Sequence, residues 1–253
     1  MPRITPLAIV FALAGVSLSG ADYRDISRTV TLSSRGALDL RTFRGSIEIS
    51  TWDRPEVEVK ARIGPAGGSA ADRRRFDGTD VRIDSAPDWL HIATVYPNSC
   101  CGFVTGTNPD VAYTIRMPRT ARLSIRDQRS DIEISDLAAA LDIDTHRGTV
   151  RVERLEGPLT LITHRGDARV DFASFHGDSL VETHRGSIQL LLPRDSRFDV
   201  HAAPARRGWI ESDFPVLAHL AGGPGLNLNG RVNGGGPTLQ LLNARGAIQL
   251  RSK

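Results

Sequence analysis

Three times the chain writes Thr-His-Arg-Gly, at 145–148, 163–166 and 183–186, each time between two alternating apolar segments. Aligned on the arginine, the segments that follow read GSIEIS (45–50), SDIEIS (130–135), GTVRVE (148–153), GDARVD (166–171), GSIQLL (186–191) and GAIQLR (246–251), with GWIESD (208–213) a looser copy. The arginine column is Arg44, Arg129, Arg147, Arg165, Arg185, Arg207 and Arg245, and from Arg129 to Arg185 the steps are 18, 18 and 20 residues. A fixed period near 20 that carries short strands is the signature of stacked repeats.

Each unit holds two period-2 segments: Leu141, Ile143 and Thr145 before the corner, Val150 and Val152 after it. Alternation of this kind gives one apolar and one polar face. A single unit cannot bury its own apolar edge. Stacking the next one at about 4.8 Å closes the backbone hydrogen bonds and continues the core. The glycine after each arginine suits a corner that needs positive φ. Ser130 stands in that slot in one unit and lacks the freedom, so that corner is expected to turn differently. The threonine before each corner is expected to point inward and bond along the ladder, which leaves the histidine outward.

The expectation is an all-β fold: a single-stranded β-solenoid with coils of about 18–20 residues, preceded by a less regular β-sheet region and closed by a C-terminal cap. Strand-like segments at TVTLSSRGALDLRTFRGSIEIS, VEVKARI, DVRID, WLHIATV and VAYTIRM fill the N-terminal region. ADRRRFDG (71–78) reads as a short helix or a charged loop, with Arg73, Arg74 and Arg75 solvated. The glycine-rich stretch 221–237 follows no strand-to-helix pattern, which makes it a poor phosphate loop and a better cover for an exposed strand edge.

The first residues look like an export signal: Arg3, then the apolar run PLAIVFALAGVSL, then small residues near Ser19 to Ala21. The domain expectation is a signal peptide over 1–21 and one β domain over 22–253, divided into an N-terminal β region (22–118) and regular coils with their cap (119–253). No later stretch is apolar enough for a membrane-crossing helix. Without the leader, 31 Lys and Arg face 29 Asp and Glu. That weak balance argues against a nucleic-acid partner. The two cysteines are neighbours, Cys100 and Cys101. Adjacent Cα atoms lie about 3.8 Å apart, below the roughly 4.4–6.8 Å of ordinary disulfides, so the pair is either a strained vicinal disulfide or two thiols.

The units TFRGSIEIS, DTHRGTVRVE and ETHRGSIQLLLP, together with the hydrophobic leader, resemble a bacterial family of putative adhesins built from β-strand repeats, an auto-transporter-adhesin-like domain of unknown function. RSDIEIS and RGDARVD come close to the Ser-Gly-Asp-Ile corner of that family, while Thr-His-Arg-Gly departs from it. The resemblance implies a β-solenoid outside the cytoplasm, in the periplasm or at the cell surface. It supplies no catalytic residues.

Candidate chemistry lies on the face carrying His146, His164, His184, Arg147, Arg165 and Arg185. Stacked coils would place the imidazoles in a column about 4.8 Å apart, continued by Gln128 on one side, with Phe43 and Ala244 in the matching outer slots. A regular cationic strip suits an anionic polysaccharide or a lipid-phosphate envelope surface. Zinc or copper wants three or four converging donors, and a ladder offers parallel ones, so a weak metal-binding surface with Asp144 or Glu182 is an alternative only. The plainest alternative is a copied corner, with the guanidinium capping carbonyls of the next coil. A polysaccharide lyase or hydrolase on the same fold would need clustered carboxylates. Asp142 and Asp144 meet Thr160 and Ile162 in the next coil, so no acid cluster grows. A nucleophile elbow, a zinc-protease helix and a Walker loop are missing. The expected function is non-catalytic, an adhesin or envelope scaffold, and no pattern calls for a cofactor.

Overall fold

The computed structural model describes residues 23–65, 67–97, 106–204, 208–215, 217–218 and 227–253. The expected leader at 1–21, Cys100, Cys101, Arg207 and the first part of the glycine-rich stretch, 221–226, lie outside them.

The fold is all-β, with a single helix among the described residues. The N-terminal part runs β1 (Arg24–Thr31), β2 (Ala37–Arg41), β3 (Arg44–Trp52), β4 (Glu56–Ile63), α1 (Ala70–Gly78), β5 (Asp80–Ala86), β6 (Trp89–Val95) and β7 (Val111–Pro118). The repeats run β8 (Arg122–Ser135), β9 (Leu141–Arg147), β10 (Val150–Leu155), β11 (Leu159–Arg165), β12 (Ala168–Phe172), β13 (Ser179–Arg185) and β14 (Ile188–Leu192). The last part holds β15 (Phe198–Pro204), β16 (Trp209–Ser212), β17 (Leu217–Ala218), β18 (Leu228–Val232), β19 (Thr238–Asn243) and β20 (Ala247–Ser252).

Pairing sorts these strands into two parallel ladders that meet at the corners and belong to one continuous sheet. Strands before the corner stack as β6, β2, the first half of β8, β9, β11, β13, β19 and β15. Strands after it stack as β7, β3, the second half of β8, β10, β12, β14, β20 and β16. Equal positions become rows. Leu40, Ile125, Ile143, Leu161, Val181 and Leu241 form one buried row, and Ile47, Ile132, Val150, Ala168, Ile188 and Ile248 face it from the other ladder. Each large aliphatic side chain removed from water in this way contributes roughly 1.5–3 kcal/mol. A coil gains that only when its neighbours are in place.

The stacking does not follow chain order throughout, and this corrects the plain solenoid. After the coil of β13 and β14 comes the C-terminal pair β19 and β20, and β15 with β16 lies outside that pair. At the other end the coil of β2 and β3 sits between that of β6 and β7 and the long β8. Antiparallel strands finish the stack: β5 on β6, β4 and β1 beyond β7, and β18 with β17 on β15. The cap is therefore β15 to β18, and the last strands of the chain are inside the stack.

The segment 71–78 is helical. Ser69 caps it and Asp72 closes a capping box, so two free amides at its start are satisfied. Arg75 is not solvated as expected. It is 8% exposed and donates to the Pro97 carbonyl and Asn108 Oδ1, partners a buried guanidinium requires. Arg73 and Arg74 remain exposed.

Candidate functional site

The site is made by the corner. Gly148, Gly166, Gly186 and Gly246 have φ of 127°, 149°, 144° and 143°. A Cβ on Gly166 would lie 1.8 Å from the Gly148 carbonyl oxygen, and one on Gly148 1.9 Å from that of Ser130. No other residue fits both the dihedral and the contact. The glycine amides bridge the coils: Gly148, Gly166 and Gly186 donate to the carbonyls of Arg165, Arg185 and Arg245. Ser130 has no positive φ, and β8 runs straight through its corner as a strand of 14 residues.

Inside the corner lies a polar column that sequence reasoning met only in part. Thr145, Thr163 and Thr183 point inward and are buried, as expected. Their row continues to Asp127 at one end and Asn243 at the other. Asp127 is only 4% exposed, and its carboxylate accepts from the Ser130 amide and hydroxyl and from Thr145 Oγ1. Two substitutions thus belong together: a serine in the glycine slot supplies donors for a carboxylate in the threonine slot. The signal was Asp127 and Ser130 departing from the column in the same unit. Thr163 Oγ1 is buried without a hydrogen-bond partner. Beyond Asp127 a chain of hydroxyls links Thr42, Thr94 and Tyr113, and burial pushes the Tyr113 phenol up to about 12.

Outside the corner the six expected residues come together. His146, His164 and His184 are exposed and stacked, with ring centroids 4.7 Å apart in both steps and interplanar angles of 7° and 4°. The middle ring, His164, has a pKa below the usual imidazole value. Partial removal from water is the first cause, followed by the charges of His146 and His184 and then of Arg165 and Arg185.

Arg147, Arg165 and Arg185 are exposed and in register, and Arg129 and Arg245 extend the column. Among the described residues none of these five makes an ion pair or a side-chain hydrogen bond; Arg129 sits over the Phe43 ring, 5.9 Å from its centroid. The carbonyl-capping role does not apply to them, because the glycine amides already fill it. The contrast with other arginines is chemical: Arg62 pairs with Asp25, Arg126 with Asp142 and Asp144, Arg151 with Glu133, and Arg154 with Asp136. The column ends at Arg44, which pairs with Asp110. Like charges spaced about 4.8 Å apart repel by about 1 kcal/mol per neighbour in water, and the fold leaves this repulsion uncompensated.

Parallel imidazoles point their lone pairs side by side, so they do not converge on a metal. Among the described residues no group of three or more His, Cys, Asp or Glu side chains could hold one. The nearby acids have other work. Asp131 and Asp167 accept from the Thr149 and Ser187 amides of the next coil, and Asp142 and Asp144 face Arg126. The ladder is a ridge. A groove of about 650 Å³ lined by Phe175, His176, Asp195 and Arg197 lies among the return loops and contains none of its residues.

A family profile described as Toastrack DUF4097 matches residues 42–206, about two thirds of the chain. The chain belongs to this family. Toastrack proteins have no known function, and the match covers β3 to β15 with the whole Thr-His-Arg-Gly ladder. No curated protein matches the chain. Among solved structures, a putative cell adhesion protein from Clostridium sporogenes is 12% identical, covers 92% of this chain and 100% of its own, and gives a TM-score of 0.48. A putative adhesin from Bacteroides fragilis is 12% identical over 94% of this chain and 100% of its own, with a TM-score of 0.38. A putative lipid binding protein from Parabacteroides distasonis is 9% identical over 92% of this chain and 98% of its own, with a TM-score of 0.27. Among the described residues no helix is long and apolar enough to cross a membrane.

Proposed function

We propose that this Toastrack chain is an exported, non-catalytic β-solenoid-type repeat protein, an adhesin or cell-envelope scaffold, that holds an anionic polysaccharide or lipid surface against His146, His164, His184, Arg147, Arg165 and Arg185. One observation carries the reading: among the described residues the guanidinia of Arg129, Arg147, Arg165, Arg185 and Arg245 stand in register without a carboxylate partner. An external anion removes their mutual repulsion, which no described carboxylate does. The non-catalytic part draws support from Asp131, Asp167, Asp142 and Asp144, which are committed to coil amides and to Arg126. Export draws support from the leader at 1–21, with the mature domain starting at residue 22.

Screening purified protein on arrays of acidic glycans and anionic vesicles tests the binding. The wild type binds at least one anionic class, and the triple variant Arg147→Ala, Arg165→Ala, Arg185→Ala loses it. A hit that the triple variant retains, or no hit at all, overturns the proposal. Intact mass of protein recovered outside the cytoplasm tests removal of 1–21.

A further inference from the structure

We infer that the ladder is a linear site five coils long, running from Arg129 to Arg245, for an extended acidic polysaccharide that carries hydroxyls and an anion on each sugar ring. This rests on the ladder being the binding face and names what that face selects.

Length comes from the pairing. Arg129, Arg147, Arg165, Arg185 and Arg245 occupy consecutive coils although Arg245 is 60 residues beyond Arg185 in the chain. All five are exposed and free of carboxylates among the described residues. At about 4.8 Å per coil the run is about 19 Å long. Asp110 on Arg44 closes one end.

The preference for a glycan over a lipid headgroup comes from the histidines. In a parallel stack each ring covers its neighbour's face, and the edges look outward. A neutral imidazole edge offers one N–H donor and one acceptor. Each of the three central coils therefore presents a guanidinium beside an outward imidazole edge. A sugar ring with hydroxyls and a carboxylate or sulfate matches both, and a hexopyranose is about as long as one coil is thick. Phosphate oxygens can take the N–H donor but leave the imidazole acceptor unused, so a phosphate surface draws mainly on the cations. Gln128 supplies a further neutral donor and acceptor in the fourth coil. An exposed row of equal units also favours a polymer, which gains affinity by adding contacts along its length.

Calorimetry on the full chain with size-defined oligogalacturonates and heparin oligosaccharides, dimer to dodecamer, reads the length. Affinity should rise roughly 1.4- to fivefold for each arginine engaged, the range of exposed ion pairs, and keep rising until the chain spans at least five coils. Arg129→Ala with Arg245→Ala should weaken long oligomers and leave dimers unchanged. His146→Ala, His164→Ala and His184→Ala together should weaken the glycans while binding to phosphatidylglycerol vesicles stays the same. Circular dichroism confirms that each variant is folded. Affinity that does not depend on length, or that ignores Arg129 and Arg245 while still needing Arg147, Arg165 and Arg185, overturns this inference and leaves the binding face standing. Vesicle binding without glycan binding overturns it in the same way. Binding of neither class overturns both.

Discussion

Gly166→Ala puts the corner to the test. The new Cβ would start 1.8 Å from the Gly148 oxygen, on a backbone with φ of 149°. Holding an alanine in that glycine-only region costs about 1–3 kcal/mol. Relieving the overlap means separating the two coils by more than 1 Å, because real Cβ contacts below 3.0 Å do not occur. Such a shift breaks the Gly148 amide bond to the Arg165 carbonyl, now 3.1 Å, and strains the Val150 bond to the Asp167 carbonyl, now 2.9 Å. Each lost bond costs about 1 kcal/mol. The total is about 3–5 kcal/mol, a large part of the 5–15 kcal/mol typical of a domain. Urea unfolding followed by circular dichroism should show the midpoint lowered by about 1–2.5 M if the slope is near 2–3 kcal/mol/M. Gly68→Ala, where a Cβ meets nothing within 4 Å, should move stability by less than about 0.5 kcal/mol. If Gly166→Ala unfolds at the same urea concentration as Gly68→Ala, the corner does not have the geometry described.

Two further outcomes follow from the columns on either side of that corner. Thr145→Val removes a donor to buried Asp127 and should destabilise by about 1–3 kcal/mol, whereas Thr163→Val replaces an unpartnered buried hydroxyl with a methyl and should be neutral or stabilising. Equal losses in the two, measured by urea unfolding, would contradict the difference between neighbouring coils. The second concerns pH. The folded pKa of His164 lies below its unfolded value of 6.5, so the unfolded chain binds this proton first as pH falls. The penalty is absent above 6.5 and grows as pH drops from there toward the folded value. His164→Asn should flatten that part of the curve of melting temperature against pH, and an unchanged curve would show that the stack does not disfavour the proton.

Much of the ladder was legible because a period-2 pattern fixes which side of a strand a residue faces, and in-register stacking then turns equal positions into rows. Leu141, Ile143 and Thr145 point inward and His146 outward for that reason alone. Coil order was not legible. Every unit carries an inward apolar pair, so Leu241 and Ile248 stack on Val181 and Ile188 as well as Ala202 and Ile210 could, and local pattern does not choose between them. Burial of Arg75 was hidden for a different reason: its partners, Pro97 and Asn108, come from a distant loop. The Asp127 site could have been found by noticing that two columns change in one unit, since a buried carboxylate needs donors and Ser130 brings one.

Cysteine cross-linking measures the stacking most directly. With Cys100 and Cys101 replaced by serine, paired cysteines at 146 and 164, at 164 and 184, or at 184 and 244 should each form a disulfide, because in-register neighbours lie about 4.8 Å apart, within the roughly 4.4–6.8 Å a disulfide spans. A pair at 146 and 184, about twice that distance, should stay reduced. A bridge between 146 and 184, or failure of the pair at 184 and 244, would show that the coils do not lie in this order.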